Sequence, residues 1–163
     1  MRNVFVSYSH RLDQIDADNF RVRFGDSQHP ERMVFSDRSL QNQDLSHLSN
    51  DTIKNNYIRP KIRNSSVTIV LIGAETGERW WVDWEIYYSM IKTADNDRNG
   101  VLGILLPYKE HSVPKRILMN DDFCDVVEMP ETRQELEKLI EEAYVRRYNV
   151  DPDLSMPLRQ RNS

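Results

Sequence analysis

The sequence predicts a three-layer α/β domain on a five-stranded parallel sheet, and two observations carry that prediction. Five short apolar runs alternate with segments of helical period. Two of the runs, Val67 to Ile72 and Val101 to Leu106, are almost unbroken aliphatic stretches, the pattern of strands covered on both faces. Right-handed crossovers then leave few topologies, of which the flavodoxin-like order 2-1-3-4-5 is the natural one. The 163 residues suit one domain, expected over residues 1–148, with a polar tail over 149–163 that should fray.

In chain order, Asn3 to Tyr8 reads as the first strand, ending in the hydroxyl cluster Ser7-Tyr8-Ser9. Asp13 is placed to cap a helix that stops at Gly25, with Ile15, Phe20, Val22 and Phe24 on its apolar side. Arg32 to Ser36 is a short second strand near an edge. Asp37 to Asn50 is polar, without apolar period, and longer than most connections, a feature that often accompanies function. A helix opening at Asp51 should break near Tyr57–Arg59, because Pro60 does not fit a helix interior. After Val67 to Ile72, a helix is expected to run from about Arg79 to Thr93. Val101 to Leu106 follows a polar turn over Ala94 to Gly100, a short helix can begin at Pro114, and Phe123 to Met129 is the last strand. Thr132 and Glu135 form a capping box for the final helix.

The helix containing Trp80-Trp81-Val82-Asp83-Trp84-Glu85 is the most informative stretch. Helical spacing groups Trp80, Trp84, Tyr87 and Ile91 on one face, expected to dock on the sheet. Trp81 lies four residues before Glu85, so its ring can flank that carboxylate. The residues three and four after Glu85 are Tyr88 and Ser89, and neither is basic. An unpaired carboxylate among aromatics is costly to bury, and in a cleft it is often functional. The plain alternative is an exposed helix glutamate beside core tryptophans. In a sheet of this order, ligands bind beyond the carboxyl ends of strands 1 and 3. Ser7 to His10, the Asp37–Asn50 connection and the turn before Glu85 meet there.

Several chemistries find no support. A net charge of −4 gives no basic face for nucleic acid or anionic lipid, and no apolar run is long enough to span a bilayer. The chain opens on a strand without a signal-peptide layout, and a single cysteine, Cys124, is consistent with the reducing cytoplasm. Phosphate-loop, dinucleotide-fingerprint and nucleophile-elbow motifs are absent. A phospho-accepting receiver would need acids where this chain has Ser7-Tyr8 and Ile72-Gly73. The four histidines lack metal-ligand spacing, so no metal is expected, and His10 reads as a polar rim residue.

Val4-Phe5-Val6-Ser7-Tyr8-Ser9-His10 resembles the first box of TIR domains, and Trp81-Val82-Asp83-Trp84-Glu85-Ile86 resembles the Trp-x-x-x-Glu box of NAD-cleaving TIR domains. Together with Phe35 to Leu40 and Ile62 to Gly73, these boxes look like the bacterial TIR-like subfamily that includes the TIR component of the Thoeris anti-phage system. The likeness runs over roughly residues 2 to 145. It implies a flavodoxin-like fold, NAD as substrate with no further cofactor, and Glu85 as the catalytic carboxylate. In Thoeris the TIR protein makes a cyclic ADP-ribose isomer that activates a separate effector. A chain without a second domain is expected to be the signal-making half. Many TIR enzymes place a basic residue directly after the Ser-Tyr pair, whereas here Ser9 and His10 precede Arg11.

The chemistry explains why one carboxylate suffices. Glycoside hydrolases generally need a second to protonate the leaving oxygen. Nicotinamide leaves NAD from a cationic pyridinium as a neutral molecule, so no general acid is required, and a poorly solvated carboxylate can stabilise the cation that forms on the ribose. Phe5, Tyr8 and Trp81 either stack on nicotinamide or ribose or serve as core and wall. Ser7 either meets the ribose or the amide or satisfies a nearby backbone group. Asp37, Arg38 and Ser39 either meet the diphosphate or a neighbouring subunit or belong to a solvated loop. Water attack would give ADP-ribose, and internal attack a cyclic product. Two readings compete: a TIR-type module that assembles with like domains and does no chemistry, and a nucleoside deoxyribosyltransferase-like enzyme with a nucleophilic glutamate.

Overall fold

Five parallel strands form one sheet in the order β2-β1-β3-β4-β5, with β1 at Arg2–Ser7, β2 at Phe35–Asp37, β3 at Val67–Ile72, β4 at Gly100–Leu105 and β5 at Cys124–Glu128. This is the flavodoxin-like order that the alternating pattern predicts. The computed structural model describes residues 1–39, 45–94 and 97–161. Residues 40–44 of the long polar connection, 95–96 of the later turn and the last two residues lie outside the described residues.

Strand alternation divides the core. Val4 and Val6 of β1, with Tyr8 just after it, face α1 (Gln14–Phe24) and α6 (Arg133–Asn149), where they pack with Phe20, Phe24, Leu136 and Ile140. Phe5 faces the other way, as period-two geometry requires, and meets Ile53, Ile58, Ile62 and Trp84. On that second face α4 (Trp80–Met90) and α5 (Lys115–Leu118) cover Val70, Ile72 and Val101. The six residues of β3 are all buried, which accounts for an aliphatic run broken only by Thr68. Each such side chain contributes about 1.5–3 kcal/mol through burial. Among the described residues, no helix is long and apolar enough to cross a membrane.

Four local expectations are corrected. Ile15 and Val22 of α1 are 75% and 63% exposed, and Ala17 joins Phe20 and Phe24 on the buried stripe instead. The helix around Pro60 does not break. It runs from α2 (Asn50–Thr52) through a π-helical stretch, Ile53–Ile58, into α3 (Arg59–Arg63). The Arg59 N–H bonds to Lys54 O, and this wider turn makes room for the proline ring that a regular helix would force against the preceding turn. In α4 Val82, Ile86 and Met90 pack on β3 and β4, whereas Trp84 is shared between Phe5 of β1 and the 53–62 helix, and Trp80 and Tyr87 are only partly buried. The stripe is thus rotated from the one that the tryptophans suggest. Finally, the segment expected to fray runs back over α4, with Arg159 N donating to Asp83 Oδ2 at 2.7 Å.

The final helix follows its sequence signal. Thr132 Oγ1 accepts from Glu135 N at 3.1 Å, while the Glu135 carboxylate reaches Glu131 N instead of the cap residue's own N–H. Gly100 opens β4 directly beneath α6, where any side chain would collide with the Ala143 carbonyl.

Candidate active site

Glu85 sits in the middle of α4, on the flank of the helix that turns toward the carboxyl end of β1. It is 1% exposed. Ser7, the last residue of β1, donates from Oγ to Glu85 Oε1 at 2.7 Å. Among the described residues no arginine or lysine forms an ion pair with this carboxylate, and burial pushes its pKa up to about 8. Ser7, the Trp81 indole and the more distant charge of Arg21 each favour the ionised form, but together they offset only part of the desolvation. Among the described residues the buried Trp81 Nε1–H has no aligned acceptor, so it acts on the carboxylate by its dipole rather than through a full hydrogen bond.

An aromatic group borders the carboxylate. Tyr8 stacks on His10 with ring centroids 4.3 Å apart, and His10 meets Trp81 edge-on at 6.4 Å. Trp81 in turn packs edge-on against Trp80 at 5.3 Å. The first box and the α4 box, 70 positions apart in the chain, thus share one wall, as the crossover from β1 to β3 requires.

A second polar chain holds the mouth of the β2 connection. Arg21 of α1 donates from Nε to Asp37 Oδ2 at 2.8 Å and from Nη1 to the Tyr8 hydroxyl at 3.4 Å. Asp37 Oδ1 accepts from Ser39 N at 2.8 Å and from Ser39 Oγ. Ser39 Oγ also accepts from Val6 N at 2.8 Å. The start of the connection is therefore tied to β1 next to Ser7.

Of the residues singled out from sequence, Ser7, Trp81 and Glu85 converge, with Tyr8 alongside through His10. Phe5 is fully buried among Leu45, Ile53, Ile58, Ile62 and Trp84, so it belongs to the core and supports the site from beneath. Asp37 and Ser39 spend their polar groups on Arg21, on each other and on β1. Arg38 is exposed, and its backbone N–H bonds to Val4 O at 2.7 Å. Sequence reasoning missed Arg21. Its one signal was its place between Phe20 and Phe24, at the border of the buried stripe and in reach of the strand that follows.

The carboxyl end of β3 holds another buried acid. Asp13, fully buried, accepts from Lys109 Nζ at 2.7 Å, and its second oxygen has no hydrogen-bond partner among the described residues. It lies over Gly73, where a Cβ would come within 2.5 Å of Asp13 Oδ2. Among the described residues no cluster of His, Cys, Asp and Glu has the makings of a metal site. Burial pushes the Cys124 thiol up to about 12, away from nucleophilic use.

Comparison with curated proteins finds no match to the chain. The family model described as Thoeris protein ThsB, TIR-like domain, matches residues 5–111, a span that runs from the strand of Ser7 through the helix of Glu85. That span is well over half of the sequence, and the chain belongs to the Thoeris ThsB TIR-like domain family.

Proposed function

We propose that this domain cleaves the bond between nicotinamide and ribose in NAD, with Glu85 as the catalytic carboxylate. The observation that carries the reading is the state of Glu85: a buried carboxylate that, among the described residues, has one short hydrogen bond, from Ser7, and no cation paired with it. A carboxylate kept this way gains most from a positive charge brought beside it. The pyridinium of NAD supplies such a charge in the ground state, and the ribose carries it as the bond breaks. Nicotinamide departs neutral with the bonding electron pair, so no acid is required of the protein. Ser7 holds Glu85 in position, and the partly buried rings of Trp81 and His10, with Tyr8 buried behind His10, form a wall for the nicotinamide or the sugar. Glu85 is 1% exposed, so the sugar reaches it when a bordering side chain moves, and half-buried Trp81 is the candidate.

Family membership supports a role in anti-phage defence. Within that role, internal capture of the cation would yield a cyclic ADP-ribose-type signal for a separate effector in the cytoplasm, with self-association through TIR surfaces completing the assembly. The test is to incubate the wild type and Glu85→Gln with NAD and separate the products by chromatography. Loss of NAD with wild type and none with the variant is expected. Untouched NAD with concentrated or phage-triggered wild type would overturn the enzymatic reading, and an active variant would overturn the assignment of Glu85.

A further inference from the structure

Residues 150–161 lie beyond the segment matched by the family and form a set of contacts with one geometric theme. Asn120 receives the segment, accepting from Asp153 N at 2.6 Å and donating to Asp153 O at 3.2 Å. Arg116, fully buried, grips Asp83 with two bonds of 2.8 and 3.1 Å and donates to the carbonyls of Met156 and Pro157 at 2.9 and 3.0 Å. Arg159 grips the same turn of α4: its N–H bonds to Asp83, and its carbonyl accepts from Trp84 Nε1 at 2.8 Å. These anchors fall on the two residues immediately before Glu85.

Arg161 then reaches the other side of the site. It donates to the carbonyls of Leu48 at 2.5 Å, Ser46 at 2.6 Å and Leu45 at 3.3 Å, and to Asn50 Oδ1 at 3.2 Å. Its guanidinium also lies over the Trp80 ring, 5.3 Å from the centroid. One planar fork thus serves four acceptors on the segment that ends the long β2 connection, an arrangement that arginine alone among the side chains can make. We propose that the carboxyl-terminal segment is a strap that fixes residues 45–50 against the Glu85 helix, with Arg161 as its positioning residue for the substrate site. The role in catalysis rests on the NAD-cleaving reading. The role in ordering 45–50 does not.

The variant is Arg161→Ala, which leaves the Asp83–Arg116 anchor in place. The amides of Leu48, Thr52 and Ile53 report directly, since they bond to Leu45 O, Ser49 Oγ and Ser49 O. Their hydrogen exchange should quicken about tenfold, the expected effect of losing charge-assisted bonds. The KM for NAD should rise by a similar factor while kcat and Tm stay close to wild type, because Glu85 and Ser7 keep their anchors. Arg161→Lys, a point charge that cannot fork, should recover only part of both effects. Unchanged exchange overturns the strap. Faster exchange with an unchanged KM overturns the positioning role, as does a fall in kcat that merely tracks a fall in Tm. If wild type leaves NAD untouched, the catalytic reading fails, and exchange alone decides whether the strap orders 45–50.

Discussion

Ser7 Oγ donates a 2.7 Å hydrogen bond to Glu85 Oε1, joining the end of the first strand to the middle of the tryptophan helix inside a site with almost no water contact. A carboxylate held at about 8 is mostly protonated at neutral pH in the free protein, and only its ionised form can stabilise a ribosyl cation. The kcat/KM for NAD should therefore climb with pH, pass half its maximum near 8 and level off above that, since this ratio reports the free enzyme. The kcat profile should level off at lower pH, because the bound pyridinium favours the carboxylate. Initial rates across pH 6–9 (roughly the range needed) check both. Profiles flat through neutrality would contradict the assignment.

Ser7→Ala removes the hydrogen bond that most favours the ionised carboxylate. The plateau should move to higher pH, and the rate at pH 7 should fall about tenfold, recovering as the pH rises. A structural defect alone would lower the rate evenly across pH. Arg21→Met should shift the profile in the same direction by less, since Arg21 acts on Glu85 only through space.

The raised pKa has a stability counterpart whose sign is opposite to that of most carboxylates. Between the ordinary value of 4.5 and about 8, folded Glu85 keeps a proton that the unfolded chain has released. Its contribution to stability is thus fully present below 4.5, declines as pH rises, and is gone above about 8. The difference is on the order of 5 kcal/mol. Glu85→Gln cannot titrate, so its Tm should gain on that of wild type as pH increases. Parallel melting curves at acidic and alkaline pH would refute the raised pKa.

Asp83 and Arg116 form the best-buried ion pair, and removing one partner strands the other. Arg116→Met should cost about 3–5 kcal/mol in chemical denaturation, because it leaves Asp83 with only the Arg159 N–H and removes the donors to Met156 and Pro157. Asp83→Asn, which keeps shape and one acceptor, should cost less.

The sheet and its order were legible because aliphatic runs 67–72 and 101–106 have no other use, and Glu85 stood out because no basic residue lies near it on the helix. What stayed hidden was whatever depends on contacts between distant segments. The tryptophans suggested the wrong sheet-facing stripe, since bulk marks burial without saying against what, and Trp84 packs on the 53–62 helix. Arg21 holds Asp37 from 16 positions away and Val6 holds Ser39 from 33, links that no periodicity reveals. The terminal segment looked ready to fray because its composition is polar. Apart from the Arg161 side chain, many of its anchors are backbone N–H and carbonyl groups, which leave no mark on composition.

Gly100 offers a test of the fold independent of the site. It begins β4 beneath α6, and a methyl group there would overlap the Ala143 carbonyl, a backbone atom that cannot swing aside. To accommodate it, α6 must lift from the sheet, loosening Leu136 and Ile140, which are buried against the strands. Gly100→Ala should therefore lower stability by about 1–3 kcal/mol or more, the usual range for overpacking. Gly25→Ala, whose added carbon would press only on the ring edge of Phe35, should lose less. Urea denaturation of the two variants side by side checks the order, and an equal loss would mean that α6 yields as easily as a phenyl ring.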